Sequence, residues 1–302
     1  MNLIIGSHVS FNSKKQLLGS VEEALSYNAN TFMIYTGGAQ STIRSNINDE
    51  YTYEAFKLMI ENNINPKNII VHAPYIVNLA NKSDERKYEF YIEFLINELN
   101  RVKELGLDKI VLHPGSATTC TKEEAISNIA EGINKIYEKT TDVMILLEYM
   151  AGKGNEVGTS IDELKSIIDK INDKDRVGVC IDTCHMNDSG VDISKFNEFL
   201  DEFNSKIGIN KIKCVHVNDS LNPIGSHKDR HANIGYGTIG FDNLINVVYN
   251  DRLEGIPRIL ETPYVSTENN PKEKIYPPYK YEIEMIRSKV FDKELINKIR
   301  EG

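Results

Sequence analysis

Eight short, nearly unbroken apolar runs recur along this chain at intervals of 28 to 45 residues, with amphipathic stretches filling the gaps. The runs span residues 3–6, 31–35, 69–72, 109–113, 144–148, 177–182, 213–217 and 258–261. Strands that read as apolar on both faces belong in a parallel sheet covered on both sides. Between them, Tyr88, Ile92, Leu95, Leu99 and Val102 share one helical face, and Gly106 follows as a stop signal. A Thr121-x-x-Glu124 capping box opens a helix carrying Ala125, Ile129, Ile133 and Ile136. Ser160-x-x-Glu163 opens another with Leu164, Ile167, Ile168 and Ile171, and Phe196, Phe199, Leu200 and Phe203 mark a further one. Eight strand–helix units in 302 residues predict an α/β fold, a single-domain (β/α)8 TIM barrel over residues 1–302. The tail, 276–300, reads as one last helix behind a proline-rich connection.

The chemistry lies where these runs end. His72, His113 and Glu148 close the third, fourth and fifth, and Asp182 and His185 close the sixth. His216 ends the core of the seventh, Asp229 and His231 follow in the next loop, and Glu261 closes the eighth. A doubly wound open sheet, the competing fold, gathers its site at one switch point from few strands. Here strands three through eight all contribute, which needs a closed ring. At the C-terminal mouth of a barrel the nine side chains converge. Imidazoles and carboxylates without thiols suit Zn, Mn or Fe(II). Nine donors exceed the needs of one ion, so two or three ions sharing carboxylates are expected, an arrangement suited to phosphodiester hydrolysis. Any one of these residues alone would read as an ordinary polar side chain at a strand end. Nine at one rim would leave buried charge unpaired without cations.

Three neighbours stay outside the set. His8, at the end of the first strand, reads equally as packing or as a contact to a ligand or substrate. His227 is expected to face solvent, and Cys184 to pack in the rim.

Composition bounds the remaining possibilities. No run of about 18 apolar residues is present, so no membrane span is expected. Met-Asn-Leu-Ile-Ile enters a strand directly and does not read as a signal peptide, and four cysteines without framework spacing fit a reduced, cytoplasmic setting. The formal charge of −9 is the wrong sign for a protein that holds nucleic acid on a broad basic surface. Three divalent ions would add about +6 at the mouth and bring the sum to about −3, which makes any anion binding local to the site.

The segments Gly178-Val-Cys-Ile-Asp-Thr-Cys-His185, His216-Val-Asn-Asp-Ser220, Asp229-Arg-His231 and Gly235-x-Gly237 resemble the signatures of the endonuclease IV family. Leu112-His-Pro-Gly-Ser116, Glu148-x-x-Ala-Gly152 and the ending Ile-Leu-Glu261-Thr262 add to it, so the resemblance runs from Ile5-Gly-Ser-His8 nearly to the end. That family comprises apurinic/apyrimidinic endonucleases of base-excision repair, phosphoric diester hydrolases with a (β/α)8 barrel and three zinc ions. The resemblance implies that His72, His113 and Glu148 hold the first ion. Glu148 bridges to the second, completed by Asp182, His216 and Glu261, and His185, Asp229 and His231 hold the third. It implies hydrolysis by a metal-activated hydroxide 5′ to an abasic site, leaving a 3′-hydroxyl and a 5′-deoxyribose phosphate, with Glu148 and Glu261 in catalytic positions.

The implied partner is damaged double-stranded DNA, with the abasic sugar flipped into the pocket. A monomer with no obligate protein partner is expected, because the rim must admit a duplex. Tyr75 matches an aromatic wedge, Gln40 and Arg44 lie in the matching recognition loop 36–44, and Arg230 is a candidate phosphate contact. Lys14, Lys15 and Lys153 are weaker candidates, read more simply as solvated surface. The chain departs from the family pattern at Tyr149, Met150 and Tyr236, beside the donors but not among them. The rival readings are a xylose-isomerase-like sugar isomerase or epimerase, which has no use for a third cluster, and a non-catalytic DNA- or metal-binding protein on a degenerate barrel.

Overall fold

The computed structural model describes residues 3–301. Its strands are β1 (Ile5–His8), β2 (Thr31–Ile34), β3 (Ile70–His72), β4 (Lys109–Leu112), β5 (Met144–Glu148), β6 (Val177–Asp182), β7 (Ile212–His216), β8 (Asp219–Ser220), β9 (His231–Ala232), β10 (Arg258–Leu260), β11 (Val265–Ser266) and β12 (Lys274–Tyr276). Ten α-helices accompany them among the described residues: α1 (Gln16–Ser26), α2 (Asp49–Glu61), α3 (Glu85–Glu104), α4 (Lys122–Lys139), α5 (Ile161–Asp169), α6 (Thr183–Ser189), α7 (Phe196–Lys206), α8 (Phe241–Val248), α9 (Tyr279–Ser288) and α10 (Leu295–Glu301). Eight parallel strands close in the order β1-β10-β7-β6-β5-β4-β3-β2, the expected barrel. The short pairs β8–β9 and β11–β12 decorate its C-terminal mouth.

The local signals act as their chemistry requires. Thr121 accepts from the Glu124 N–H while the Glu124 carboxylate accepts from the Thr121 N–H, completing the box that starts α4. Ser160 caps α5, but Glu163 turns its carboxylate to the N–H groups of Gly158 and Thr159, so only half of that box forms. Gly106 takes φ 70° just beyond α3, the left-handed turn that stops a helix.

Two features differ from the sequence reading. The first strand begins two residues later than its apolar run, because the Asn30 side chain bonds the Leu3 carbonyl and the Ile5 N–H ahead of the ladder. The C-terminal helix is two helices, broken where Lys289 adopts φ 56°, and Phe291 packs back against Tyr236 and Phe241.

Met33, Ile70, Val111, Leu146, Cys180, Cys214 and Ile259 form a core of their own inside the barrel, separate from the larger core between strands and helices. Side chains two residues apart on a strand share a face. The next inward positions are therefore Tyr35, His72, His113, Glu148, Asp182, His216 and Glu261. The donor layer stands directly on the apolar floor.

Barrel closure is sterically tight at β1. A Cβ on Gly6 would collide with the Thr31 carbonyl of the paired strand. Gly6→Ala should cost roughly 3 kcal/mol, because a ladder cannot yield as a loop does. Thermal denaturation should show a Tm lower by roughly 5 °C or more; an unchanged Tm would mean that the two strands part freely.

Candidate metal centre

Glu148 sits at the middle of the mouth, 1% exposed, with its two oxygens facing different partners. Oε2 lies 3.1 Å from His72 Nε2 and 3.0 Å from His113 Nε2. Oε1 lies 3.1 Å from His216 Nδ1 and 3.3 Å from His185 Nδ1. His216 Nδ1 is also 3.1 Å from Glu261 Oε2 and 3.8 Å from Asp182 Oδ2. On the far side, Asp229 Oδ1 lies 3.1 Å from His185 Nε2 and 3.4 Å from His231 Nε2. Eight of the nine donors thus fall into three overlapping groups, with Glu148 and Asp182 each shared between two, while Asp229 groups with Cys184 and His231 instead of completing the expected set with His185. Within each of the sets His72–His113–Glu148, Glu148–Asp182–His216–Glu261 and Asp182–His185–His231, the donor atoms lie within 4.8 Å of one another.

Backbone carbonyls fix the ring tautomers. Nδ1 of His72, His185 and His231 faces the carbonyls of Ala73 (2.7 Å), Tyr149 (3.1 Å) and Glu261 (3.2 Å). With the proton held at Nδ1, Nε2 presents its lone pair to the mouth, the arrangement of metal-binding imidazoles. His231 Nε2 is buried without a hydrogen-bond partner, an orphan that a cation would satisfy.

The electrostatics point the same way. Burial alone would lower the His185 and His216 values, but the surrounding carboxylates and, for His216, Cys180 raise both well above the ordinary range. His231 is raised to about 9 against its burial, chiefly by Asp229 and Asp182. Conversely, burial would raise Glu148, Asp229 and Glu261, yet the neighbouring imidazoles hold all three below ordinary carboxylate values. Negative charge is built in, and protons or cations must neutralise it. These groups of imidazoles and carboxylates could hold metal ions.

The loops are shaped to deliver it. Asp182 ends β6 and also N-caps α6, accepting from the His185 N–H at 2.8 Å, so one residue starts the short helix that carries another donor. Asp229 stands at φ 56°, a left-handed conformation that Asp tolerates better than most residues. Its N–H donates to buried Asp188 Oδ2 at 2.9 Å, and Asp188 also accepts from Ser220 Oγ at 2.7 Å.

Asn218, two residues beyond His216, ties the second group together. Nδ2 donates to Asp182 Oδ2 at 2.7 Å and Glu261 Oε2 at 3.2 Å, while Oδ1 accepts from the Glu261 N–H at 2.9 Å. Asp219 gathers the N–H groups of Ser220, Gly235, Gly237 and Ile239, which folds the Gly-x-Gly loop over it. In the sequence, Asn218 and Asp219 stand within a motif that gives them no role, and nothing singles out Asp188.

Loss of Asn218 leaves two donors without their orienting amide. Asn218→Ala should weaken metal binding about 10- to 100-fold. Competition with a chromogenic chelator reads this directly, and unchanged affinity would show that the carboxylates hold themselves.

The remaining candidates scatter more widely. Tyr75 stands on the rim, 46% exposed, and its hydroxyl accepts from Gln40 Nε2 at 2.6 Å. Arg230 is exposed between two donors, and Lys14 and Lys153 are exposed; Lys15 pairs with Glu22 at 2.7 Å. Arg44 corrects the sequence reading. Its side chain is 9% exposed and turned inward, with Nε donating to buried Glu98 at 2.7 Å, and is not the free surface charge the sequence suggests.

His8 is half-buried, its ring 5.2 Å from that of Tyr35, which in turn lies 5.0 Å from His72. His227 is exposed overall, although its Nδ1 meets the Ala151 carbonyl. Cys184 is buried, its sulfur within 4.8 Å of donor atoms of Asp229 and His231, and burial, then Asp182, pushes its thiol up. The departures have structural duties. The Tyr149 carbonyl orients His185, Met150 lines a cleft of about 300 Å³ beside His113 and Tyr75, and the Tyr236 hydroxyl donates to the Asp292 carbonyl of the tail.

A family model described as "Xylose isomerase-like TIM barrel" matches residues 21–289. The "Probable endonuclease 4" of Acholeplasma laidlawii is 50% identical over 300 residues, covering 98% of this chain and 99% of the relative. The chain belongs to the endonuclease IV family. Another endonuclease IV relative, the "Probable endonuclease 4" of Staphylococcus saprophyticus, is 48% identical over 298 residues, 98% of this chain and 99% of its own. Among solved structures, endonuclease IV from Thermus thermophilus superposes with a TM-score of 0.77 at 29% identity, covering 94% of this chain and 97% of that one. A D-tagatose 3-epimerase-like protein shares the fold at 21% identity and a TM-score of 0.64, covering 98% of each chain. Among the described residues, no helix is long and apolar enough to cross a membrane.

Proposed function

We propose that this protein is a DNA-repair endonuclease that hydrolyses the phosphodiester 5′ to abasic sites in duplex DNA, leaving a 3′-hydroxyl and a 5′-deoxyribose phosphate. The observation that carries the reading is Glu148, whose two oxygens face separate imidazole groups beside a further cluster on Asp229. A centre for one or two ions, as an isomerase uses, would not need Asp229 and His231. The donors fit three ions, zinc by their chemistry, with Mn or Fe(II) as substitutes. His72, His113 and Glu148 would hold the first; Glu148, Asp182, His216 and Glu261 the second; His185, Asp229 and His231 the third. Such ions supply Lewis acidity, activating water and offsetting phosphate charge.

The chain's own residues supply the rest. Glu148 and Glu261 would keep negative charge fixed at the centre. As water forms its bond to phosphorus the P–O3′ bond breaks, Glu148 would accept the proton that water loses, and the departing 3′-oxygen would take a proton from solvent. Tyr75, hydrogen-bonded by Gln40, would replace stacking lost at a missing base. The walls beside His113, with Met150 and Tyr75, leave room for a bare sugar-phosphate, and the energy of unstacking is least where no base is present.

A nicking assay tests the reading: duplex DNA bearing one tetrahydrofuran site, beside an intact duplex and the Glu261→Ala variant. The analogue lacks an aldehyde, so β-elimination cannot mimic hydrolysis. The expected result is a single cut 5′ to the analogue by the wild type alone. No cut by fully metallated protein would sink the reading and send the search to sugar substrates.

A further inference from the structure

The chain between β2 and α2 runs without helix or strand, yet α3 holds it down at many points. The centre of this hold is Glu98, a fully buried carboxylate beneath the loop 36–47. Arg44 meets it as a fork, Nε to Oε1 at 2.7 Å and Nη2 to Oε2 at 3.2 Å, with its Cζ 5.1 Å above the Phe94 ring. Phe94 and Glu98, one turn apart on α3, thus make a two-point receptor for a planar guanidinium.

Thr36 Oγ1 donates to Glu98 Oε2 at 2.8 Å. Arg101, one turn further along, donates to the carbonyls of Ser45 (2.8 Å) and Thr36 (3.3 Å). Arg44 Nη1 bonds the carbonyls of Ser41 and Ile43, and its guanidinium lies so close over Gly37 that a Cβ there would meet Nη1 at 2.7 Å. At the tip, Gln40 reaches outward and holds the Tyr75 hydroxyl.

A buried carboxylate is costly unless it is paired and fully hydrogen-bonded. Here that arrangement secures a surface loop that packs little of its own apolar surface. Ordering a recognition loop before its ligand arrives removes the entropy cost of doing so on binding.

We propose that Glu98 is a positioning residue. Through Arg44, Arg101 and Thr36 it holds the 36–47 loop, and with it the Gln40–Tyr75 pair, in the shape that meets the duplex. This rests on the reading of the mouth as an abasic-DNA nuclease. It also assigns Arg44 a task other than touching DNA.

The test compares wild type with Glu98→Gln and Arg44→Lys. Both variants keep side-chain size and some polarity, but Glu98→Gln loses the charge and Arg44→Lys loses the fork. KM for the tetrahydrofuran duplex should rise about tenfold in each, with kcat within about twofold, since no donor of the centre is touched. Metal content should match the wild type. The chain has no tryptophan, so an Ile43→Trp reporter, at a site 83% exposed, reads the loop alone. Its fluorescence anisotropy should fall when Glu98→Gln is added.

An unchanged KM would overturn the proposal. So would a raised KM with unchanged anisotropy, or a joint loss of kcat and metal, which would make Glu98 a general support of the fold. If the wild type fails to nick at all, the nuclease reading fails on its own; unchanged anisotropy would then overturn the tether as well, and a drop would retain it.

Discussion

Glu148→Gln should reduce nicking of the abasic duplex by at least about a thousandfold, as expected when one member of a jointly acting set is removed. The amide fills the same volume, so the barrel should fold with an unchanged circular dichroism spectrum. What changes is charge and lone pairs. Both Glu148 oxygens are needed, one toward His72 and His113 and the other toward His216 and His185. An amide has one oxygen to offer, and its NH2 would point at one imidazole group as a donor. Elemental analysis of the purified variant should show fewer ions per chain than the wild type. Retention of full metal content and activity would remove Glu148 from the centre and leave the His72–His113 pair unconnected to the groups that share Asp182.

Stripping the divalent ions with a chelator should abolish nicking, and reloading with zinc should restore it. The thermal stability lost on stripping should grow with pH between 6.5 and about 9. Without ions, the folded chain holds a proton on His231 up to about 9, against an ordinary value of 6.5. That stabilisation is fully present below 6.5 and disappears as pH rises through about 9. Glu148, Glu261 and Asp229 are held below ordinary carboxylate values, so their contribution is already complete above those values and stays constant across this window. Metal must displace the same imidazole protons, so its binding strengthens as the protons leave. An ion at 100 times its Kd adds about 2.7 kcal/mol. Paired melting curves of stripped and reloaded protein at pH 6.5, 7.5 and 8.5 measure the gap. A gap that narrows with rising pH would contradict the assignment of His231.

Much of the centre can be read in the sequence because a strand has a period of two and the site stands on strand ends. His72, His113, Glu148, Asp182, His216 and Glu261 each follow an inward apolar residue by two positions, so pattern alone brings them to one face. Asp229 rides on a loop and His231 on the two-residue strand β9, too short to show a period, so their residue types and not a pattern put them in the set. The helix that carries His185 is hidden because Thr183–Ser189 has too few residues to show an apolar stripe.

Arg44 misleads for a different reason. An arginine in a polar loop looks available until its partner is known, and Glu98 lies 54 residues away on a helix whose apolar stripe is its visible signal. Asp188, Asn218 and Asp219 act by bonding to other side chains and backbone groups, a role that leaves no trace in periodicity or composition.

Closure of the barrel matters to the chain before its synthesis is complete. The donors are spread from His72 to Glu261, and the ring closes only when β1 meets β10. A chain still emerging from the ribosome, or one cut in a surface loop and coming apart, brings together too few of them to hold the full set of ions. On the proposed reading, cutting power would be a property of the finished ring.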